Sequence, residues 1–187
     1  MAVLRITQGE KKGSELLVPK DIEPVKNVVK LAVFSMLGEI VKDANCLDLF
    51  AGSGNLGFTA LSLGAGKCVF VDDTPASIAC IKQNSKKLSF ENEVTIVENN
   101  VENFLSFSLP AKYNIIFLDP PYKLTIDNIA EKLLNCISKE GVIVYLHHKD
   151  TEARLRGFCA IDQRVYGKTK VSLLQCQRSN VKSQSQI

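Results

Sequence analysis

At 187 residues, with 45% hydrophobic and 23% charged residues, the chain carries enough apolar surface for one well-filled core and too little charge bias for a disordered segment. No apolar run approaches the roughly 18 residues that a bilayer crossing requires, and the opening Met1-Ala2-Val3-Leu4-Arg5 lacks the apolar centre of a secretion signal. The six cysteines (46, 68, 80, 136, 159 and 176) contain no Cys-x-x-Cys pair and lie mostly in apolar segments, so reduced thiols in a cytoplasmic protein are expected rather than a disulfide framework.

Charge is unevenly spread. From Arg164 onward there are five basic residues and no acidic one, so the net +3 leaves −2 for the rest of the chain. That basic C-terminal edge suits either a phosphate backbone or a solvated tail.

In chain order, Arg5-Ile6 and Leu16-Leu17-Val18 flank a glycine- and lysine-containing stretch and predict a hairpin. Pro24 can open a helix, and apolar residues at 25, 28, 29, 32, 33, 36, 37 and 40 follow a helical stripe. That stripe predicts a helix packed on the core with Lys26, Asn27 and Lys30 outward and Gly38 as a mild interruption. Asn45-Cys46-Leu47 opens a buried strand, which runs into Asp48-Leu49-Phe50-Ala51-Gly52-Ser53-Gly54-Asn55-Leu56-Gly57 and then a helix-compatible Phe58–Leu63. Further strands are predicted at Cys68–Asp72, Val94–Val97, Tyr113–Leu118 and Val142–Leu146, separated by helices from Pro75 to Leu88, Val101 to Phe107 and Thr125 to Ile137, the last stopped by Gly141. Arg164–Tyr166 and Lys170–Leu174 read as two strands joined near Gly167. Residues from about Arg178 are polar and expected to fray. The expected organisation is an N-terminal hairpin and helix extension over 1–43, a main domain over 44–177 and a tail over 178–187.

Near-continuous apolar strands alternating with helices predict an α/β fold with a mostly parallel sheet covered on both faces. Ligands of such sheets bind beyond the carboxyl ends of the strands. The glycine turn, Asp72, Asn99-Asn100 and Asp119-Pro120-Pro121-Tyr122 all fall at such ends and should converge on one edge.

Gly52-Ser53-Gly54-Asn55-Leu56-Gly57 matches the dinucleotide fingerprint G-x-G-x-x-G, and Asp72 closes the next strand, where a carboxylate can accept from a ribose hydroxyl pair. By itself the fingerprint also admits a hydride-transfer enzyme. The tetrapeptide Asp119-Pro120-Pro121-Tyr122 favours a different chemistry. Two prolines fix the backbone and remove two donors, which leaves the Asp119 carboxylate and the Pro120 carbonyl as acceptors for a flat amino group. Tyr122 offers a ring for stacking on a base. The adjacent His147 and His148 lack the partners of a metal site and read as surface residues, so no metal is expected.

Together, Asp48 to Gly57 and Asp119-Pro120-Pro121-Tyr122 resemble the S-adenosylmethionine-dependent methyltransferases that act on exocyclic amino groups of bases. Gly9…Lys12-Gly13, the Pro24-to-Leu37 segment, Asp48-Leu49-Phe50-Ala51-Gly52-Ser53-Gly54 and Tyr166-Gly167-Lys168-Thr169 narrow the resemblance to the RsmD-type 16S rRNA guanine methyltransferases of bacteria, over roughly residues 5–176. The resemblance implies a Rossmann-like class I fold with a sheet of about seven strands. It also implies S-adenosyl-L-methionine as cofactor, and 16S rRNA or the small ribosomal subunit as partner of a monomer. It assigns Asp119, Pro120, Pro121 and Tyr122 to the reacting base, and Asp48, Phe50, Ala51, Gly52, Ser53, Gly54, Asp72 and Asn100 to the cofactor.

The chain departs from that pattern in four places. Glu23-Pro24-Val25 stands where the family has Arg-Pro-Thr, and Lys30-Leu31 where it has an Arg-Glu pair. Asn100 replaces an aspartate near the adenine, where its amide oxygen can still accept from the adenine amino group, and His147-His148 replaces an acidic residue. The same motifs are compatible with a DNA adenine or other amino-group methyltransferase, and with a non-catalytic nucleotide-binding ribosome-assembly factor.

Overall fold

The computed structural model describes residues 4–20, 22–107, 112–121 and 126–177. The N-terminal hairpin forms from β1 (Leu4–Arg5) and β2 (Glu15–Leu16), paired antiparallel. Then follow α1 (Asn27–Leu37), β3 (Asn45–Leu49), α2 (Asn55–Ser62), β4 (Lys67–Asp72), α3 (Pro75–Leu88), β5 (Val94–Glu98) and α4 (Val101–Ser106). The chain closes with β6 (Tyr113–Leu118), α5 (Ala130–Cys136), β7 (Ile137–His148), β8 (Phe158–Tyr166) and β9 (Thr169–Cys176).

Seven strands form one sheet in the order β5-β4-β3-β6-β7-β9-β8. The β5-β4-β3-β6-β7 portion is parallel, and β9 and β8 add an antiparallel edge. Strand β3 starts the sheet. The chain then builds outward through β4 and β5 before returning to lay β6 on the other side of β3. The order therefore reverses between β3 and β6, which opens a crevice beyond their carboxyl ends. Helices α1, α2 and α3 and the hairpin cover one face, around Phe34, Phe58, Phe70 and Phe117. Helices α4 and α5 cover the other, around Leu47, Leu49, Ile116 and Leu133. No helix among the described residues is long and apolar enough to cross a membrane.

Four sequence expectations need correction. Helix α1 buries Val29, Lys30, Ala32, Val33, Phe34 and Leu37, and leaves Val28 53% and Leu31 44% exposed. Its buried face is thus rotated from the apolar stripe, and Lys30, expected outside, is wholly buried because the hairpin folds over it. Gly38 ends the α-helix outright, and a single 3₁₀ turn (Gly38–Val41) follows. The predicted helix toward Ile137 is a 3₁₀ turn (Asp127–Ile129) followed by α5, and the part of it at Thr125 lies outside the described residues. Gly141 does not stop that helix. It lies inside β7, in an irregular stretch where pairing jumps from Tyr113–Ile137 to Ile115–Val142. The predicted tail from Arg178 lies outside the described residues.

Candidate active site

The glycine turn takes its shape from backbone constraints. Phe50 (φ 60°), Gly52 (56°) and Gly54 (76°) all have left-handed backbone, which costs Phe50 strain that the two glycines do not incur. The turn closes on itself through Gly54 N–H donating to the Ala51 carbonyl at 2.7 Å, and is joined to β4 by Ala51 N–H donating to the Val71 carbonyl. Among the described residues, a Cβ at Gly52 would meet Ile22 at 3.5 Å, an ordinary contact and not a clash.

Two buried carboxylates hold this turn. Asp48 is 2% exposed, and its Oδ2 accepts from Gly57 N–H at 2.9 Å, under the first turn of α2. Burial pushes its carboxyl well above the ordinary aspartate range, against the lowering effect of the Gly57 bond, and the nearby Asp119 and Asp72 carboxylates raise it further. Asp72, at the end of β4, accepts from Gly52 N–H through Oδ2 at 2.8 Å. Its Oδ1 accepts from the Thr74 N–H and hydroxyl. Asp72 therefore joins the turn to the start of α3. Asn100 caps α4, its Oδ1 accepting from Glu102 N–H at 2.9 Å, so the oxygen assigned to an adenine amino group is already engaged.

Strand β6 delivers the other half of the site. Leu49 of β3 pairs with Leu118 of β6, so Asp119 leaves its strand beside Phe50 and the turn. Asp119 forms no ion pair with another described residue, and desolvation of its carboxyl raises it to about 7. Leu118 in turn pairs with Tyr145 of β7. Pro120 and Pro121 accordingly line a small recess together with Tyr145, His147, His148 and Thr151. Tyr122 lies outside the described residues.

His147 is not on the surface. It is 3% exposed, stacks on Tyr145 at 4.5 Å, and its Nε2 lies 2.9 Å from the Ser172 hydroxyl of β9. Its Nδ1 lies 3.0 Å from the His148 carbonyl, and burial lowers its pKa. An Nδ1–H donor with Nε2 accepting from Ser172 satisfies both contacts with a neutral ring. The antiparallel β9 covers this end of β7, and nothing in the local run of residues announces that cover. Among the described residues no three His, Cys, Asp or Glu side chains are grouped as metal ligands.

Sequence reasoning also missed Lys30 and Asn84. The Lys30 ammonium donates to the Arg5 carbonyl at 2.6 Å and to Asn55 Oδ1 at 2.7 Å, and burial lowers its pKa to about 8. Asn84, on α3, donates to the Ser53 carbonyl within the turn at 3.0 Å. Only its polar character on the inward side of α3, beside Ile81 and Leu88, could have flagged it.

The family described as "Conserved hypothetical protein 95" matches residues 4–175, nearly the whole chain. The chain belongs to this family. Among similar proteins, "Putative rRNA methyltransferase YlbH" of Bacillus subtilis is 34% identical over 159 residues, covering 80% of this chain and 85% of that one. "Ribosomal RNA small subunit methyltransferase D" of Escherichia coli K12 is 31% identical over 140 residues, covering 74% of this chain and 68% of that one. A solved structure, "Putative methyltransferase yhhF from Escherichia coli", superposes with a TM-score of 0.84 at 26% identity, covering 94% of this chain and 98% of that chain. Family membership spans both halves of the cleft and the N-terminal hairpin, since the matched residues begin at 4 and run past Asp119 and His147.

Proposed function

We propose that this protein is an S-adenosylmethionine-dependent rRNA methyltransferase acting on the exocyclic amino group of a guanine in small-subunit rRNA. The observation that carries the reading is the pairing of Leu49 with Leu118, which sets the acceptor-rich Asp119-Pro120 end of β6 beside the glycine turn. Relatives bearing small-subunit rRNA methyltransferase names support rRNA as the substrate.

The residues present fit the cofactor. The backbone at Gly52, where an added Cβ would touch Ile22 without a clash, admits an adenosyl group, and Asp72 offers an acceptor for ribose hydroxyls. Asp48, from beneath, fixes the helix that starts at the turn. Asn100 stands at the same edge, and its oxygen, which accepts one bond in the α4 cap, retains a second lone pair for the adenine amino group. When bound, S-adenosylmethionine supplies a methyl group on a sulfonium, a good leaving group.

The chain's own residues must then align a poor nucleophile. The amino nitrogen of guanine shares its lone pair with the ring. Asp119 and the Pro120 carbonyl accept its two hydrogens, draw the nitrogen out of conjugation and aim the lone pair at the methyl carbon. Methylation would leave the amino nitrogen positive, with one proton to lose. Asp119, with its carboxyl raised to about 7, can take that proton and release it near neutral pH. Tyr122 is assigned to stacking on a base taken out of its helix. The rigid Pro120-Pro121 pair keeps the acceptors from following the substrate's motion.

The test is methylation of unmodified 16S rRNA or small subunits by the purified protein, with the modified nucleoside identified by mass spectrometry. N2-methylguanosine is the expected product. N6-methyladenosine would move the reading to an adenine methyltransferase, and cofactor binding without transfer would favour an assembly factor.

A further inference from the structure

Helix α2, which begins at the glycine turn, is gripped at both ends by the N-terminal hairpin and the segment that follows it. At its start, Lys30 donates to Asn55 Oδ1 and, with the same ammonium, to the Arg5 carbonyl of β1. Asn55 Nδ2 in turn donates to the Val25 carbonyl at 3.4 Å. At its end, the Ser62 hydroxyl donates to the Gln8 carbonyl at 2.7 Å and accepts from Lys11 N–H at 2.9 Å. The Ser62 carbonyl accepts from Glu10 N–H at 2.8 Å. The approach is so close that a Cβ at Gly9 would fall 1.8 Å from the Ser62 carbonyl oxygen.

The turn itself is held by a third contact. Asn84 Nδ2 donates both to the Ser53 carbonyl and to the Leu17 carbonyl, each at 3.0 Å, while its Oδ1 accepts from Leu17 N–H at 2.8 Å. The Cys80 thiol adds a bond to the Leu17 carbonyl. The Ile22 side chain rests over Gly52. Lys30 and Asn84 are both wholly buried, and each bonds a turn residue and a hairpin-segment carbonyl at once.

From this arrangement we infer that the N-terminal segment is a working part of the cofactor-binding turn, with Lys30 and Asn84 as the positioning residues that transmit its grip. The inference rests on the methyltransferase reading above. It assigns to residues 5–25 a role in cofactor affinity that is separate from any contact with RNA. A buried donor that satisfies two acceptors from different segments locks their relative position, because releasing either segment leaves a desolvated carbonyl without a partner. The turn's left-handed backbone then has one shape available when the cofactor arrives. Coupling of this kind is reciprocal: if the segment holds the turn, cofactor on the turn must hold the segment.

Hydrogen exchange of the intact protein with and without S-adenosylhomocysteine tests this directly. The Glu10 and Leu17 amides, which bond Ser62 and Asn84, should slow together with those of residues 51–58, by about tenfold, while the β8–β9 hairpin changes little. Slowing of 51–58 without Glu10 and Leu17, or uniform slowing that includes β8–β9, would overturn the inference. No slowing anywhere would remove the cofactor reading, and the inference with it. In kinetics, Lys30→Met should raise the KM for S-adenosylmethionine by about tenfold with kcat and the KM for RNA nearly unchanged, and Lys30→Arg should restore part of it. Val33→Ala, on the same helix, serves as a control for lost stability. An equal rise in the cofactor KM in Val33→Ala at the same loss of melting temperature, or none in Lys30→Met, would also overturn it.

Discussion

In the proposed mechanism Asp119 carries the chemistry, and its ionisation gives that proposal a pH signature. Its folded-state carboxyl lies near 7, well above the usual aspartate range, because its surroundings disfavour the charge. Accepting the amino hydrogens requires the ionised form, so kcat should rise with pH through about 7. Asp119→Asn should lose that limb at a greatly reduced rate, and a pH–rate profile of the two proteins checks both points. The same shift has the opposite consequence for stability. The native state holds a proton between roughly pH 4 and 7 that the unfolded chain has released, so this group's contribution falls as pH rises across that window. Asp119→Ala should lower kcat by about a hundredfold or more while leaving S-adenosylhomocysteine affinity within about threefold, as measured by titration calorimetry. Equal loss of binding would contradict the assigned role. At this scale the sequence was an uneven guide. Asp72 and Asp119 stand at strand ends whose limits were readable, and both lie near Asp48. Lys30 and His147 were misplaced because each is covered by a segment distant in sequence, the hairpin in one case and β9 in the other.

Among the elements, the hairpin and β9 decide what local periodicity could not. The apolar stripe of α1 was real, yet its Val28 remains exposed and Lys30, outside the stripe, is buried, since the face a helix buries depends on what folds over it. Two expected outcomes belong here. Gly9→Ala would place a methyl group against the Ser62 carbonyl at a φ of 81°, and should cost about 1–3 kcal/mol in urea unfolding, with weaker cofactor binding as the hairpin lifts from α2. Ser172→Ala would leave His147 Nε2 buried without its partner, and would remove the acceptor of Gln163. A loss of about 1–2 kcal/mol is expected, read as a lower melting temperature, with the β7–β9 amides exchanging faster. The parallel strands themselves were legible almost to the residue, because an apolar run bounded by Gly, Asp or Pro leaves few alternatives. β7 was the exception. Its first residues fall in an irregular pairing opposite Tyr113 and Ile115, a register that only the neighbouring strand defines.

For the whole molecule, the reversal of strand order between β3 and β6 makes two otherwise ordinary loops into one cleft. In the proposed function one loop takes the nucleoside at its glycine turn, and the other presents proline-fixed acceptors to an amino group. The fold class was readable from the alternation of strands and helices, and the edge proposed for function was chosen from the residues at their carboxyl ends. The grip of the N-terminal segment on α2 was not, because it consists of bonds between residues 25 or more apart in sequence, which leave no periodic trace. The most direct test of the central claim uses unmodified small subunits, labelled S-adenosylmethionine, and the wild-type and Asp119→Ala proteins side by side. The account predicts label recovered as N2-methylguanosine with the wild type and almost none with Asp119→Ala. Label in another nucleoside, or equal transfer by both proteins, would contradict it.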